Sequence, residues 1–218
     1  MSFMLCDAIL FDLDGVLVDS NPMYERHWQR WAALHDVSFA EIAAVHHGRP
    51  AVQTIGLVAP HMDAIVEAAR YNASVAAGGN VHDVRAYAGV HALLESLPED
   101  RWAIVTSANR ELSSLMLRVL KLPIPRVLVT SDDVKQGKPA PDPYLQAAHA
   151  LGHVPSRCVV IEDAPAGVAA AREAGARVVA LRTTNRAEAL KDAHAVVERF
   201  ADLCVTRVPA GLELSWQR

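Results

Sequence analysis

The chain has 218 residues, of which 51% are apolar and 21% charged, a composition typical of a globular protein rather than a disordered one. Its 21 basic and 25 acidic residues give a formal charge of −4, and no basic run is present, so nothing electrostatic predicts a nucleic acid or a membrane surface as partner. No apolar run approaches the roughly 20 residues that a membrane-spanning helix needs.

Five short runs rich in Val, Ile, Leu and Ala predict β-strands. None of them alternates polar with apolar residues, which is typical of strands covered on both faces, as in a parallel sheet. The first run lies near the N-terminus, lacks a basic n-region and precedes no small-residue cleavage site, so we interpret it as a strand rather than a signal peptide. The predicted strands are Cys6–Phe11, Trp102–Thr106, Arg126–Thr130, Arg157–Ile161 and Arg177–Leu181.

Helical patterns follow the later strands, and the chain contains 37 Ala residues, which favour helices. The alternation of strand and helix predicts an α/β fold built on a doubly wound parallel sheet. These helices are predicted at Asn109–Lys121, Asp142–Leu151, Pro165–Gly175 and Arg186–Asp192.

No strand run is present between Asp19 and about Arg85. Prolines and a closing Gly78–Asn80 segment punctuate four amphipathic stretches there, which predict helices. We therefore expect a catalytic core of residues 1–18 and 85–218, interrupted by an inserted all-helical cap of residues 19–84. The predicted cap helices are Pro22–His35, Phe39–His47, Pro50–Val58 and His61–Ala77.

The three cysteines, Cys6, Cys158 and Cys204, are odd in number, far apart and in apolar surroundings. This pattern indicates buried free thiols in a reducing compartment, and we expect a cytoplasmic protein.

Polar residues follow the predicted strands at their carboxyl ends. Because such ends converge on one crevice in an open parallel sheet, we expect the side chains to meet there. They comprise four acids, two hydroxyl residues and one lysine in a loop between a glycine and a proline. The residues are Asp12, Asp14, Thr106, Ser107, Lys138, Glu162 and Asp163.

Four adjacent carboxylates repel one another and require a cation, for which Mg²⁺ is the usual choice where few carboxylates meet a phosphate. A lysine and a threonine hydroxyl at the same place suit an anionic substrate. Of the paired Asp12 and Asp14, one can then act as nucleophile and the other as general acid/base.

The segment Asp12–Ser20 (DLDGVLVDS) resembles the first motif of the haloacid dehalogenase superfamily. Thr106, Lys138 and the pair Glu162-Asp163 fall where the second, third and fourth motifs of that superfamily are expected. The stretches Gln136–Tyr144 and Val160–Gly167 are similar to the branch with a helical cap after the first motif. The stretch Asp133–Pro139, with His47–Arg49 in the cap, is most similar to phosphatases of sugar and polyol phosphates such as glycerol phosphate and 2-deoxyglucose 6-phosphate.

The resemblance implies that Asp12 attacks phosphorus to form an aspartyl-phosphate and that Asp14 is the general acid/base. It implies Mg²⁺ binding by Asp12, Asp14 (through its backbone carbonyl) and Asp163, with Glu162 either a direct ligand or one step removed. It also implies that Thr106, Ser107 and Lys138 hold the other phosphoryl oxygens.

Particular residues argue against two other activities of the superfamily. Haloacid dehalogenases lack the second aspartate of the first motif, which is present here as Asp14, and phosphonatases use a cap lysine, whereas residues 19–85 contain none. A β-phosphoglucomutase has the same core motifs and stays open as the alternative, and so does a non-catalytic protein that binds a sugar phosphate.

Substrate contacts outside the core motifs are expected from the start of the cap, from a residue after a glycine in the cap and from the segment that follows Thr106. We expect a small phosphorylated metabolite as partner, no nucleic acid or membrane partner, and a monomer or weak homodimer. The candidate substrate residues are Ser20, Tyr24, Glu25, Arg49 and Asn109.

Overall fold

The structure is a computed structural model that describes residues 2–46, 50–77 and 81–217. The chain divides into two compact units, a larger one of Met1–Asp19 with Arg85–Arg218 and a smaller one of Ser20–Val84. Within the described ranges, no helix combines the length and the apolar character needed to span a bilayer.

Eleven strands are present among the described residues, all in the larger unit. Six of them form a central sheet in the order β6-β5-β2-β7-β8-β9, with every neighbouring pair parallel. This confirms the predicted α/β fold with a parallel sheet. In chain order the strands are β1 (Ser2–Cys6), β2 (Ala8–Phe11), β3 (Val18–Asp19), β4 (Arg85–Ala86), β5 (Trp102–Val105), β6 (Val127–Val129), β7 (Cys158–Glu162), β8 (Arg177–Leu181), β9 (Ala195–Val197), β10 (Leu203–Val208) and β11 (Gly211–Trp216).

Both faces of the central sheet are buried, as the unbroken apolar runs predict. Successive side chains of a strand point to opposite faces. Leu10 and Val105 accordingly join the core cluster that includes Tyr144, while Phe11 packs its ring against Phe200, 6.2 Å between centroids. The helices, in chain order, are α1 (Asn21–His35), α2 (Phe39–Ala43), α3 (Ala51–Val58), α4 (Ala64–Ala76), α5 (Val90–Ser96), α6 (Arg110–Val119), α7 (Asp142–Leu151) and α8 (Pro165–Glu173).

The first predicted strand is wrong in its extent, because Asp7 divides it. Asp7 pairs its carboxylate with Arg157 and donates its N–H to the Arg157 carbonyl, 2.8 Å away. The residues before it form β1, which pairs antiparallel with β11 in a second sheet of order β1-β11-β10. This sheet, β9 and α5 have no counterpart among the elements predicted from the sequence.

Two further expectations are corrected. The predicted helix Arg186–Asp192 is only a short 3-10 turn, Ala187–Leu190, because the chain before it is held at the carboxyl edge of the sheet and the chain after it returns at once to β9. Cys204 is exposed rather than buried, since β10 alternates and its neighbour Leu203 takes the inward position. Cys6 and Cys158 are buried and free, as predicted.

The described part of the smaller unit is all-helical and contains α1 to α4. Its core is aromatic: the Trp28 and Tyr71 rings stack with centroids 4.0 Å apart, and Trp31 meets Trp28 edge-on. Asp63 caps α4 by accepting hydrogen bonds from two backbone N–H groups of the first turn. Strands β3 and β4 pair antiparallel where the chain leaves the larger unit and where it returns.

Candidate active site

Asp12 and Asp14 lie directly after β2, as the sequence predicts. Asp12 is buried and is tied to the neighbouring strand by its N–H, which donates to the Ile161 carbonyl at 3.0 Å. The chain then turns tightly at Gly15, whose φ of +81° is a conformation that L side chains rarely adopt. A Cβ there would also overlap the Asp163 carboxylate, so only glycine lets β2 and β7 bring their acids together at this edge.

Lys138 is the only lysine at this site among the described residues, and its ammonium group is almost fully enclosed. Its Nζ donates to Asp12 Oδ1 at 2.6 Å, to Glu162 Oε1 at 2.8 Å and to the Val105 carbonyl at 3.1 Å. Three acceptors match the three N–H bonds of an ammonium group, which fixes the position of the charge. Lys138, in its loop between a glycine and a proline, thus contacts the first acid, Asp12.

Glu162 is a buried carboxylate with a full set of donors. Its Oε1 accepts from Lys138 and from the Tyr144 hydroxyl at 2.9 Å, and its Oε2 accepts from the N–H groups of Asp163 and Ala164 at 2.8 and 2.9 Å. A carboxylate offers about four lone-pair sites, and these four donors use them. A side chain at Gly167 would overlap this carboxylate, which explains the glycine in the first turn of α8.

Asp163 is held from the loop after β8. Thr184 donates its hydroxyl hydrogen to Asp163 Oδ2, and the Asn185 side-chain amide donates to the Asp163 carbonyl at 3.0 Å. Carboxylate oxygens of Asp12, Glu162 and Asp163 all lie within 4.8 Å of one another, and all three residues are buried. This is a group that can hold a metal ion.

The electrostatics of the cluster favour a cation. Burial, the largest influence, raises the pKa of Asp12, and the Glu162 and Asp14 carboxylates raise it further against the opposing charge of Lys138. Burial also raises the pKa of Asp163 well above its ordinary value, again with Glu162 and Asp12 adding to the effect. Burial opposes the charge of Lys138, but the two carboxylates outweigh it and hold the pKa of Lys138 well above 10.5. One lysine cannot neutralise several buried acids, so the residues present fit a divalent cation.

Thr106 closes the other side of the cluster. Its hydroxyl donates to Asp14 Oδ2 at 3.4 Å and accepts from the Ala108 N–H at 3.1 Å, while its own N–H is bonded to the Val129 carbonyl. Ser107, next in the chain, is exposed. Asn109 caps α6 by accepting from the Leu112 N–H at 2.9 Å, which is the role the structure gives it.

Hydrogen bonds from the loop after β6 hold the Thr106 segment in place. We call this set of contacts, in which Asp133 accepts most of the bonds, the Asp133 brace. The Ser131 N–H donates to the Ala108 carbonyl at 3.1 Å, and the Arg110 N–H donates to Asp132 Oδ2 at 2.9 Å. Asp133 accepts from the N–H and the hydroxyl of Thr130 at 2.8 and 2.7 Å and pairs with the Arg110 guanidinium at 2.7 Å. The Thr106 segment is thereby attached to the β6 edge.

The candidate substrate residues other than Asn109 belong to the smaller unit. Ser20, Tyr24 and Glu25 lie at the start of the smaller unit, where the Ser20 carbonyl accepts from the Tyr24 N–H in the first turn of α1. Arg49 and the Gly78–Asn80 segment lie outside the described residues.

Sequence reasoning missed four residues of the site. Tyr144 falls in a predicted helix, where nothing in the sequence shows that its hydroxyl reaches Glu162. Thr183, Thr184 and Asn185 follow β8, and the rule that picked out the other strand ends applies to them as well. Their residue types are common in loops and carry no specific chemical signal.

Comparison with known proteins identifies relatives over nearly the whole chain. Residues 9–181 match the family described as Haloacid dehalogenase-like hydrolase. The chain is 37% identical over 211 residues to Hexitol phosphatase A of Escherichia coli (strain K12), covering 95% of this chain and 98% of that protein. It is 31% identical over 196 residues to Glycerol-1-phosphate phosphohydrolase 1 of Saccharomyces cerevisiae, covering 85% and 78%. Among solved structures, a putative beta-phosphoglucomutase from Thermotoga maritima superposes with a TM-score of 0.66 and 27% identity, covering 88% of this chain and 94% of that one.

Proposed function

Because this chain belongs to the haloacid dehalogenase-like hydrolase family, we propose that it is a Mg²⁺-dependent phosphatase that hydrolyses a small phosphorylated sugar or polyol. The observation that carries this proposal is the buried contact of Lys138 with Asp12, which itself belongs to the group of three acids, Asp12, Glu162 and Asp163, that can hold a metal. Phosphoryl transfer needs mainly positioning and charge neutralisation, and this cluster supplies both.

Asp12 is the nucleophile of the proposed reaction. A carboxylate oxygen of Asp12 attacks phosphorus, the bond from phosphorus to the substrate alcohol oxygen breaks, and an aspartyl-phosphate forms. Asp14, whose carboxyl group the Thr106 hydroxyl contacts, protonates the departing oxygen. Asp14 then removes a proton from the water that cleaves the aspartyl-phosphate and releases inorganic phosphate.

The remaining core residues bind charge. The Thr106 hydroxyl and the Ser107 backbone N–H are proposed to bind phosphoryl oxygens. Lys138 is proposed to do the same by exchanging its hydrogen bond to Asp12 for one to a phosphoryl oxygen when substrate binds. Asp12, the Asp14 carbonyl and Asp163 would hold Mg²⁺, which neutralises the charge of the acids and of the phosphoryl group when it is bound.

Glu162 is proposed to position Lys138 rather than to bind the metal directly. Its side chain is 1% exposed and its lone pairs are used by four donors, one of which is Lys138 itself. Metal binding by Glu162 would require at least one of these hydrogen bonds to break, and a buried donor left without a partner costs about 1–3 kcal/mol.

The substrate class rests on the names of the relatives. The Escherichia coli relative is a hexitol phosphatase and the yeast relative acts on glycerol 1-phosphate, so a phosphorylated polyol or sugar is the substrate class we propose here. Residues 19–84 are proposed to be the cap subdomain that determines specificity, with Ser20, Tyr24, Glu25 and Arg49 as candidate contacts. A cytoplasmic location agrees with the three free cysteines.

A phosphomutase is the second candidate, favoured by the structural likeness to the putative beta-phosphoglucomutase. The two activities separate in one assay. Incubation with a hexose 1-phosphate and a bisphosphate activator yields the 6-phosphate without phosphate release if the protein is a mutase.

The proposed function is tested by phosphate release from a panel of hexitol, glycerol and hexose phosphates, with Mg²⁺ and with EDTA. Turnover of at least one polyol or sugar phosphate, abolished by EDTA and restored by added Mg²⁺, is the expected result. Phosphate release that is unaffected by EDTA, or no release from any member of the panel, would overturn the proposal.

A further inference from the structure

The three consecutive residues Thr183, Thr184 and Asn185 form a segment one residue after the end of β8, and this segment bonds to both sides of the acid cluster. Thr183 donates its hydroxyl hydrogen to the Gly15 carbonyl, Thr184 donates to Asp163 Oδ2, and the Asn185 amide donates to the Asp163 carbonyl at 3.0 Å. All these residues lie in the larger unit and are half-buried or buried. One short segment therefore touches the turn after Asp14 and the acid at the end of β7.

The direction of the Thr184 hydrogen bond follows from its partner, because an ionised carboxylate can only accept. The Asn185 amide, which has hydrogens and no acceptor on its nitrogen, donates to Thr184 Oγ1 at 3.0 Å. The single hydroxyl hydrogen of Thr184 is thus available to Asp163, whose Oδ2 it contacts, and Thr184 Oγ1 lies 3.4 Å from the Asp163 carbonyl oxygen. The chain of donors runs from Asn185 through Thr184 to the carboxylate.

Steric contact holds the same carboxylate from the other side. Asp163 packs so closely on Gly15 that a Cβ at that position would overlap it. Thr183 holds the Gly15 peptide through its carbonyl. The Asp163 side chain is therefore confined between a fixed turn and a fixed hydroxyl.

We propose that Thr183–Asn185 is a positioning segment for the metal site, in which Thr184 sets the orientation of the Asp163 carboxylate for Mg²⁺. This inference rests on the proposed function, because it takes Asp163 as a metal ligand. Groups that orient a metal ligand by hydrogen bonding typically change metal affinity about 10- to 100-fold when they are removed. Thr184 touches neither substrate nor reacting atoms in this scheme, so its effect should appear in Mg²⁺ affinity and not in the rate at saturating Mg²⁺.

The test is calorimetric titration of Mg²⁺ into EDTA-treated, dialysed protein, with wild type, Thr184→Val, Thr184→Ser and Thr206→Val compared. Valine keeps the shape of threonine without its hydroxyl, serine keeps the hydroxyl, and Thr206 is an exposed threonine on β10 that serves as the matched control. We expect Thr184→Val to weaken Mg²⁺ binding about 10- to 100-fold, Thr184→Ser to stay within about threefold of wild type, and Thr206→Val to bind as wild type does. The kcat of Thr184→Val at saturating Mg²⁺ should return to near the wild-type value.

Wild-type Mg²⁺ affinity in Thr184→Val, or an equal loss in Thr184→Ser, would overturn the positioning role. If Thr184→Val does not fold by circular dichroism, Asn185→Ala removes the donor to Thr184 and should weaken Mg²⁺ binding by a smaller factor, and wild-type affinity there would overturn the role as well. Failure of the proposed function looks different. Wild-type protein that binds Mg²⁺ but releases no phosphate overturns the phosphatase, while the titration still decides on Thr184.

Discussion

The ammonium nitrogen of Lys138 lies 2.6 Å from the Asp12 carboxylate, and the side chains of both residues are at most 10% exposed. The same nitrogen contacts Glu162 at 2.8 Å, so one cation is shared by two buried acids. Because a charge that loses its partner in the interior is costly, this contact links stability and catalysis at a single atom.

Replacing Lys138 by Met should therefore damage both properties. Asp12 and Glu162 would keep their burial without a counter-charge, and removing one partner of a buried pair costs roughly 3–5 kcal/mol. We expect a lower melting temperature in metal-free buffer and a loss of kcat/KM of about 100-fold or more, since a donor to the phosphoryl group is lost too. Lys191→Met, at an exposed position, is the control and should match wild type in both measurements. Unchanged stability and activity in Lys138→Met would contradict this role.

Tyr144→Phe tests whether Glu162 acts through Lys138 or on the metal. The substitution removes only the hydroxyl that donates to Glu162 Oε1, and leaving a buried acceptor short of one donor should cost about 1–3 kcal/mol of unfolding free energy, measured by denaturant titration. Mg²⁺ affinity should stay within about threefold of wild type, whereas Asp163→Asn should lose about 10-fold or more. A Tyr144→Phe loss of Mg²⁺ affinity as large as that of Asp163→Asn would place Glu162 on the metal.

The raised pKa values predict that Mg²⁺ stabilises the protein more strongly as pH rises. In metal-free protein, burial raises the pKa of Asp12 and Asp163, so the folded state binds more protons than the unfolded state above pH ~4. Stability contributed by those protons is fully present below the unfolded pKa and is lost as pH rises through the folded pKa. Mg²⁺ needs the deprotonated acids, so its stabilising effect grows over the same range.

Melting temperatures with and without Mg²⁺, measured from about pH 5 to about pH 8, check this linkage. The increase in melting temperature caused by Mg²⁺ should be small at the acidic end and largest at the basic end. An increase that is independent of pH would show that metal binding displaces no proton from the cluster.

The Asp133 brace should support substrate binding rather than metal binding. Asp133→Ala removes the acceptor of the Thr130 and Arg110 hydrogen bonds and frees the segment that carries Thr106. We expect a destabilisation of about 1–3 kcal/mol and a raised KM for the phosphorylated substrate, with Mg²⁺ affinity unchanged. Asp100→Ala, an exposed acid in a turn, is the matched control. A wild-type KM in Asp133→Ala would contradict the brace.

The central residues of the site are predictable because they follow the strands of one parallel sheet. Carboxyl ends of parallel strands meet at one edge, so Asp12, Thr106 and Asp163 could be placed together from strand order alone. The orientation of each group depends on hydrogen bonds from loops, which residue types do not encode. Thr184 illustrates this, since a threonine after a strand is ordinary until its hydroxyl is seen on Asp163.

The parts of the fold that were missed share a physical cause. Strand β11 lies between β10 and β1 in its sheet, and β1 depends on β11 from the other end of the chain for its partner. Asp7 breaks the first apolar run because Arg157, far away in sequence, holds its carboxylate. Each depends on a contact between distant segments, and periodicity within one segment cannot reveal such a contact.

Phosphate release by Asp12→Asn, measured on the best substrate of the wild type at saturating Mg²⁺, tests the central claim most directly. The variant keeps the size of the side chain and removes the nucleophile, and circular dichroism with Asp100→Asn as control establishes that the fold is intact. The account predicts a loss of kcat of roughly 10³-fold or more, as for removal of a nucleophile in other enzymes. Release at the wild-type rate would contradict it.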